Sequence, residues 1–209
     1  MKSIVCRVSI VIVAMSCLVT MAHGEVLHAE PSGFVVRHEQ RVVAPPETTW
    51  RMLVGHVGEW WNSDHTFSGN AANLYIEERP MGCFCERLGE SDAVVHLMVT
   101  AVRQHSLLRL TGGLGPLGLM GTNGNMTFSL VNDGDATMIA LEYRVGGYDP
   151  SGLDTIAPAV DATLGEQLAR FVRFVESGSP EVDPVDDEQA QEPRVPEPPT
   201  LDPVTGDNT

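Results

Sequence analysis

The stretch TIAPAVDATLGEQLARFVRFVE, residues 155–176, decides the fold class of this chain. Apolar side chains recur along it every three or four residues, and this spacing predicts a long helix with one buried stripe. Pro158 is tolerated because it lies in the first helical turn, whereas Gly165 lies mid-helix, at a cost of about 1 kcal/mol relative to Ala. This glycine predicts close packing, or a cavity, beside the helix. The stripe comprises Ile156, Val160, Leu164, Leu168, Phe171, Val172 and Val175.

The residues before this helix have the pattern of an antiparallel sheet. Residues 125–131 and 137–147 alternate apolar and polar side chains around the turn at Asn132–Asp135, which predicts a hairpin with one apolar face. The glycine-rich residues 112–124 are predicted to form a flexible loop that carries several exposed or half-exposed apolar side chains. Shorter or earlier strands are predicted at residues 34–43, 74–77, 82–88, 93–103 and 106–111.

Two short helices are predicted between the first strand and the rest of the sheet. Pro46 opens one of them, because proline fits the first helical turn, and Glu59–Trp61 form the second. Two adjacent tryptophans on a helix cannot both face inward. We therefore expect Trp60 or Trp61 to cap the core or to rim a cavity entrance.

This order of elements resembles the START-like, SRPBCC superfamily of helix-grip proteins, which includes polyketide cyclase-like and Hsp90-activator-like members. The resemblance covers residues 33–177 and implies an α+β fold, in which a curved antiparallel sheet wraps around a long C-terminal helix. It also implies a hydrophobic ligand cavity between sheet and helix, but no particular reaction, because the fold hosts binders, transporters and enzymes. The segments that carry the resemblance are VVRHEQRVVAPPETTWRML (35–53), GEWW (58–61), MGCFCERL (81–88) and LGEQLARFVRFVES (164–177).

The N-terminal residues 1–24 have the composition of an export signal. Lys2 precedes a mostly apolar run, and Ala22-His23-Gly24 offers small residues at the positions that signal cleavage requires. An uncleaved membrane anchor and lipidation at Cys17 are the alternatives. Residues 25–32 are interpreted as a short leader. The protein is therefore expected to be exported, to the periplasm or outside the cell, with no stable membrane span after cleavage.

The charge of the chain excludes one class of function, and its distribution separates the C-terminal residues from the domain. The chain has 28 acidic and 13 basic residues, a net charge of −15, which excludes a nucleic-acid binder that relies on a basic surface. Residues 178–209 are acidic, rich in proline and free of aromatic residues, so we predict a disordered tail. The alternative is that this tail docks on a basic protein partner.

The sequence predicts which residues line the cavity. Phe84 and Glu86 share one face of a strand, and the apolar cross-strand neighbours Val95, Leu97 and Val99 make that face the concave one. Burial would raise the pKa of a carboxyl turned inward unless it were paired, so Glu86, with His65 as an alternative, is a candidate acid or base. Glu86 could instead pair with Arg109 or Arg144, or reach solvent. The full set of expected ligand-binding residues is Trp61, Phe84, Glu86, Leu97, Phe128, Tyr143, Leu164 and Leu168.

Two cysteines remain after signal cleavage, Cys83 and Cys85, and we predict that both thiols are free. Residues two apart on a regular strand are separated by about 6.6 Å, near the upper limit for a disulfide, so a bridge would require a bulge. Pairing about residues 89–92 would set His96 opposite Cys85, and a zinc or copper site at Cys83, Cys85 and His96, approached by His65, is a second alternative. The spacing matches no standard metal motif, and no cofactor is expected.

Three functions compete at this point. The leading prediction is non-covalent binding of a small hydrophobic molecule, lipid-like or polyketide-like, in the cavity. The second is a cyclase- or dehydratase-type enzyme that uses Glu86 or His65 for proton transfer and Tyr143 as a hydrogen-bond donor. The third is an envelope protein-interaction module that uses the acidic tail. The sequence contains no Ser-His-Asp order, nucleotide fingerprint or catalytic carboxylate pair, which counts against a hydrolase.

Overall fold

A computed structural model of the chain describes residues 24–182. These residues form eight strands and three α-helices, with short 3-10 turns between them. The strands are β1 (Gly24–Glu30), β2 (Gly33–Val42), β3 (Leu74–Ile76), β4 (Cys83–Arg87), β5 (Ala93–Arg103), β6 (Leu107–Gly112), β7 (Gly121–Asp133) and β8 (Ala136–Tyr148), and the helices are α1 (Pro46–Gly55), α2 (Val57–Trp60) and α3 (Ala157–Ser177).

All eight strands belong to one antiparallel sheet, in the order β1-β2-β8-β7-β6-β5-β4-β3. The sheet curves around α3, which packs mainly on β1 and β2, while α1 packs on β3, β7 and β8 and α2 packs on β3 and α3. This architecture is the helix-grip fold, so the predicted fold class is confirmed.

The core lies between the concave face of the sheet and α3, and alternation in the central strands supplies its apolar side chains. Along β7, Met126, Phe128 and Leu130 are buried, while the residues between them are half-buried. The helix α3 contributes Leu164, Leu168 and Phe171 to the core, and the 3.6-residue period places these three side chains on one face. Burial of this shared apolar surface is the main force that holds sheet and helix together.

Gly165 fits the close approach of α3 to the sheet. A Cβ at this position would lie 2.7 Å from Cε1 of His38, which is buried on β2. Any side chain larger than hydrogen would therefore displace either the helix or the imidazole. The mid-helix glycine reflects close packing rather than a cavity wall.

The structure differs from the sequence prediction at two places in the sheet. Residues 25–32, interpreted as a leader, supply most of β1, which pairs with β2 along the sheet edge with one register shift. Residues 112–124, expected to form one flexible loop, contribute instead to β6, to a 3-10 turn at Gly115–Leu119 and to the start of β7. Glycine is required in part of this region because a Cβ at Gly124 would lie 2.5 Å from the ring of Tyr143.

The predictions for the chain ends fall mostly outside residues 24–182. The signal-peptide prediction concerns residues 1–24, and the greater part of the predicted tail, 183–209, is likewise not described. At the near end of that tail, Gly178 caps α3 in the left-handed conformation, and Arg170 pairs with Glu181 at 2.7 Å. No helix within the described range is long and apolar enough to cross a membrane.

Candidate functional site

A cavity of about 350 Å³ lies between α3, the loop that follows α2, and the β4–β5 end of the sheet. Its wall is mostly apolar, and its polar groups are few. Both the closing helix and the turn after β6 contribute to it. The lining residues are Trp61, Asp64, His65, Thr66, Phe67, Leu74, Phe84, His96, Leu114, Gly115, Pro116, Leu117, Tyr143, Ile156, Ala159, Val160, Thr163 and Leu164.

Half of the residues expected to bind a ligand line this cavity. Trp61, Phe84, Tyr143 and Leu164 are all in its wall. The other expected residues, Glu86, Leu97, Phe128 and Leu168, are buried but lie outside the lining. The physical reason is that the apolar face of the sheet extends beyond the cavity. Leu168, for example, lies one helical turn past Leu164, where α3 packs directly on the core.

Both tryptophans are buried, Trp60 in the core and Trp61 in the cavity wall. Trp60 is the last residue of α2, and Trp61 has extended backbone geometry, so the helix ends between them and both rings turn inward. Trp60 packs edge-on against Phe171 in the core. Trp61 packs edge-on against Phe84 at the cavity, and its indole N–H donates a hydrogen bond to the carbonyl of His65 at 3.2 Å.

A bulge between β4 and β5 sets the polar centre of the site. Phe84 pairs with Leu97 but Cys85 pairs with Val95, so His96 is the extra residue. His96 and Leu97 consequently both face inward, whereas Val95 is 60% exposed. The sequence prediction had Val95 inward and His96 opposite Cys85, and the bulge overturns both.

Glu86 is fully buried beside this bulge and has several hydrogen-bond donors. Its carboxylate accepts hydrogen bonds from the backbone N–H groups of Phe67 and Ser68, at 3.0 and 2.5 Å, and from Nε2 of His96 at 3.0 Å. Burial acts to raise the pKa of Glu86, but the donors at Ser68, Phe67 and His96 outweigh it and lower the pKa below its ordinary value. Glu86 is therefore an anionic anchor for residues 67–68, rather than an acid, and its partners are not Arg109 or Arg144.

His96 connects this anchor to the cavity. Its imidazole lines the cavity wall, and the ring of Phe67 stacks on it with centroids 5.6 Å apart and planes inclined by 18°. Burial lowers the pKa of His96, and the hydrogen bond and charge of Glu86 offset this only in part. The imidazole is therefore neutral beside an ionised carboxylate. The sequence alone predicts His96 only as a ligand of the alternative metal site, because regular alternation points its side chain outward.

Tyr143 holds the turn after β6 against the cavity. Its hydroxyl donates a hydrogen bond to the carbonyl of Gly112 at 2.8 Å and accepts one from the backbone N–H of Leu114 at 3.0 Å. Burial raises its pKa to about 12, so the hydroxyl stays protonated. This side chain is a brace for the 3-10 turn, in which Leu117 is buried and Leu119 is exposed.

His65 lies at the rim and is tied to the closing helix. Its Nε2 is 3.2 Å from a carboxylate oxygen of Glu166, and the other oxygen of Glu166 accepts a hydrogen bond from Asn62 at 2.6 Å. The backbone N–H of Asn62 also donates to Gln167, which is fully buried. These contacts fix the loop after α2 to α3, so His65 is part of the rim and is paired rather than free.

Cys83 and Cys85 form a disulfide, contrary to the prediction of free thiols. Their Cα atoms are 5.4 Å apart, closer than the roughly 6.6 Å of a regular strand, and the pairing of β4 with β5 shifts register between Phe84 and Cys85. The disulfide also removes both thiolates from the alternative metal site with His96. Residues 24–182 contain no cluster of three metal-ligating side chains.

Comparison with known proteins supports the fold but not a function. The sequence matches no protein-family model and no curated protein. Among solved structures, the chain is similar to EF2215 from Enterococcus faecalis, a conserved protein of unknown function, with a TM-score of 0.53, 17% identity, and coverage of 81% of this chain and 85% of that one.

Two further solved structures show slightly lower similarity. A protein from Arthrobacter aurescens has a TM-score of 0.51 at 9% identity, over 71% of this chain and 90% of its own. DynU16 of the dynemicin biosynthetic locus reaches 0.49 at 18% identity, over 70% of this chain and 48% of its own. The likeness is one of fold, and the polyketide cyclase-like and Hsp90-activator-like branches stay predictions.

Proposed function

We propose that this protein binds a small hydrophobic molecule, non-covalently, in the cavity beneath α3. The observation that carries the proposal is a cavity of about 350 Å³ with aromatic and aliphatic walls and few polar groups. Small-molecule sites in proteins have this character, because apolar walls supply affinity and isolated polar groups supply orientation.

The volume restricts the kind of molecule. Ligand sites usually occupy about 300–1,000 Å³, so this one is at the small end of the range. The rigid rings of Trp61, Phe84 and Phe67 in the wall suit a flat molecule of one to three rings better than a long acyl chain. Within the lipid-like and polyketide-like classes expected from the sequence, we favour a compact ring system.

Export is part of the proposal and depends on the sequence of residues 1–24 alone. The disulfide is compatible with an oxidising compartment such as the periplasm. A ligand found outside the cytoplasm, or one carried between membranes, would fit this location.

The proposal is tested by closing the entrance to the cavity. Ala159 is exposed and also lines the cavity, which places it at the rim, whereas Ala162 is exposed on the same helix outside the lining. Naphthalene serves as the probe, and the indole N–H resonance of Trp61 reports its binding. We expect Ala159→Trp to weaken binding at least tenfold and Ala162→Trp to leave it unchanged. Equal affinities of the two variants would contradict the proposal.

A cyclase- or dehydratase-type enzyme is the second candidate, and one observation favours it. Glu86 and His96 form a buried carboxylate–imidazole pair at the cavity, an arrangement that can move a proton. Two other expected participants are engaged elsewhere, since Tyr143 braces the turn after β6 and His65 pairs with Glu166. Turnover that ceases in a His96→Phe variant, while naphthalene still binds, would support the enzyme.

The third candidate, a protein-interaction module, concerns mainly residues beyond 182. Deletion of residues 183–209 should weaken a partner complex and leave binding in the cavity unchanged. Its support remains the acidic composition of those residues.

A further inference from the structure

His96 carries a nitrogen whose role within the fold is unassigned. Its Nε2 binds Glu86, but its Nδ1 has no hydrogen-bond partner among residues 24–182. The Nδ1 atom is not fully buried, although the side chain as a whole is only 5% exposed. The imidazole also lines the cavity, so this accessible nitrogen belongs to a ring that a molecule inside the cavity would contact.

The partner of Nε2 determines what Nδ1 can do. An ionised carboxylate only accepts hydrogen bonds, and Glu86 already accepts two from backbone N–H groups, so Nε2 must be the donor. A neutral imidazole that carries its proton on Nε2 has a lone pair on Nδ1. Glu86 thereby fixes the tautomer, and Phe67 fixes the plane of the ring by stacking on it.

Most other polar side chains in the wall already have hydrogen-bond partners within the protein. The hydroxyl of Tyr143 bridges Gly112 and Leu114, and that of Thr66 donates to the carbonyl of Ser63 at 2.7 Å. The indole N–H of Trp61 is likewise engaged. Two other polar groups of the wall compete with His96 for a ligand, namely the hydroxyl of Thr163 on α3 and the carboxylate of Asp64, which is exposed.

We infer that His96, positioned by Glu86, is the polar recognition point of the cavity and accepts a hydrogen bond through Nδ1 from its ligand. The ligand class is therefore a compact, largely apolar ring system that bears a hydroxyl or N–H donor, such as a phenol or an enol. This inference rests on the proposed function, since it presupposes a ligand in the cavity.

Three matched probes test the inference: naphthalene, 2-naphthol and 2-methoxynaphthalene. They share one ring system, but only 2-naphthol can donate a hydrogen bond. We expect the full-length protein to bind 2-naphthol about 3- to 10-fold more tightly than either of the others, the span of a single net hydrogen bond. In His96→Phe, which keeps an aromatic ring beside Phe67, we expect the ratio of the affinities for 2-naphthol and naphthalene to fall to about one. His28→Phe, on the distant edge strand β1, is the control and should keep the preference.

The outcomes separate this inference from the proposed function. If all three probes bind equally, or if His96→Phe retains the preference for 2-naphthol, His96 is not the acceptor, while the cavity remains a binding site. If none of the probes binds, both proposals fail. A wild-type measurement avoids dependence on the variant: in ¹⁵N-histidine-labelled protein, 2-naphthol should shift the Nδ1 resonance of His96 and 2-methoxynaphthalene should not. An Nδ1 resonance unmoved by bound 2-naphthol would overturn the inference.

Discussion

Within residues 24–182, two buried histidines face carboxylates, and the nitrogen–oxygen distances of the two pairs are nearly the same. Nε2 of His96 lies 3.0 Å from Glu86, and Nε2 of His38 lies 2.9 Å from Asp161. The two imidazoles are 5% and 8% exposed. Each joins separate parts of the fold, His96 linking β5 to β4 and His38 linking β2 to α3. Proximity to a carboxylate does not distinguish a functional histidine from a structural one here.

The surroundings of the two pairs do distinguish them. Glu86 is anchored by two backbone donors and its hydrogen bond to His96 is aligned, whereas the facing atoms of His38 and Asp161 are close without forming an aligned hydrogen bond. His96 borders the cavity, while His38 is confined between β2 and Gly165 of α3. A polar pair becomes a candidate site when its orientation is fixed and one atom still faces open space.

The largest difference between the pairs is expected when each carboxylate becomes an amide. In Glu86→Gln, an amide N–H₂ must face a donor, so part of the set formed by Phe67, Ser68 and His96 loses its acceptor, and we expect stability to fall by about 2–3 kcal/mol. In Asp161→Asn the change should stay within about 0.5 kcal/mol, because no aligned hydrogen bond is lost. Urea unfolding of both variants measures this, and equal losses would erase the contrast.

A smaller effect is expected where His38 meets the helix. Gly165→Ala places a Cβ 2.7 Å from Cε1 and 3.0 Å from Nδ1 of His38. Overpacking of this kind costs about 1–3 kcal/mol, and the better helix propensity of Ala returns up to about 1 kcal/mol, so we expect a net loss of about 1–2 kcal/mol. Gly55→Ala at the end of α1, with no atom within 4 Å of the new Cβ, is the control and should be neutral or stabilising. A stable Gly165→Ala variant would show that the pair at His38 is loosely packed.

The parts of the molecule that were predictable from sequence are those with an uninterrupted period. The helix at 155–176 corresponds to α3, and the hairpin at 125–147 to β7 and β8, because each repeats its pattern over many residues. The position of Gly165 was informative for the same reason, since a glycine in a strong helical pattern predicted either close packing or a cavity, and the structure shows close packing. The general location of the cavity followed from the resemblance to helix-grip proteins.

The polar centre of the site could not be read from the same pattern. The extra residue in β5 breaks the alternation, so that Val95 points outward and His96 inward, and the segment Val94–Met98 is apolar enough to allow either register. The one available signal was the C-x-C spacing, because a disulfide between Cys83 and Cys85 requires an irregular strand, and the pairing of β4 with β5 is irregular at this point. The strand β1 was missed because its short, partly charged sequence shows no alternation, and both tryptophans turn inward only because α2 ends between them.

The smallest expected effect is a change of stability with pH, and it concerns only His96 and Glu86. The pKa of His96 is lowered by burial from about 6.5, and that of Glu86 is lowered from about 4.5 by its hydrogen bonds against the opposing effect of burial. Below pH 6.5 the unfolded chain therefore takes up a proton before folded His96 does, and below pH 4.5 the same applies to Glu86. Both effects destabilise the folded protein as pH falls, and the first amounts to at most about 1.4 kcal/mol for the unit between pH 6.5 and 5.5.

Comparison of wild type with His96→Phe assigns this loss to its source. Urea unfolding at pH 7.5, 6.5 and 5.5 should show a shallower decline in the variant, because a phenyl ring takes up no proton in either state. Asp64 and His65 line the same cavity and remain in both proteins, so their contributions cancel in the difference. Parallel declines would mean that folded His96 takes up its proton as readily as the unfolded chain does. The imidazole would then be a donor at both nitrogens under mildly acidic conditions, and the cavity would prefer an acceptor such as a ketone or an ether over a phenol.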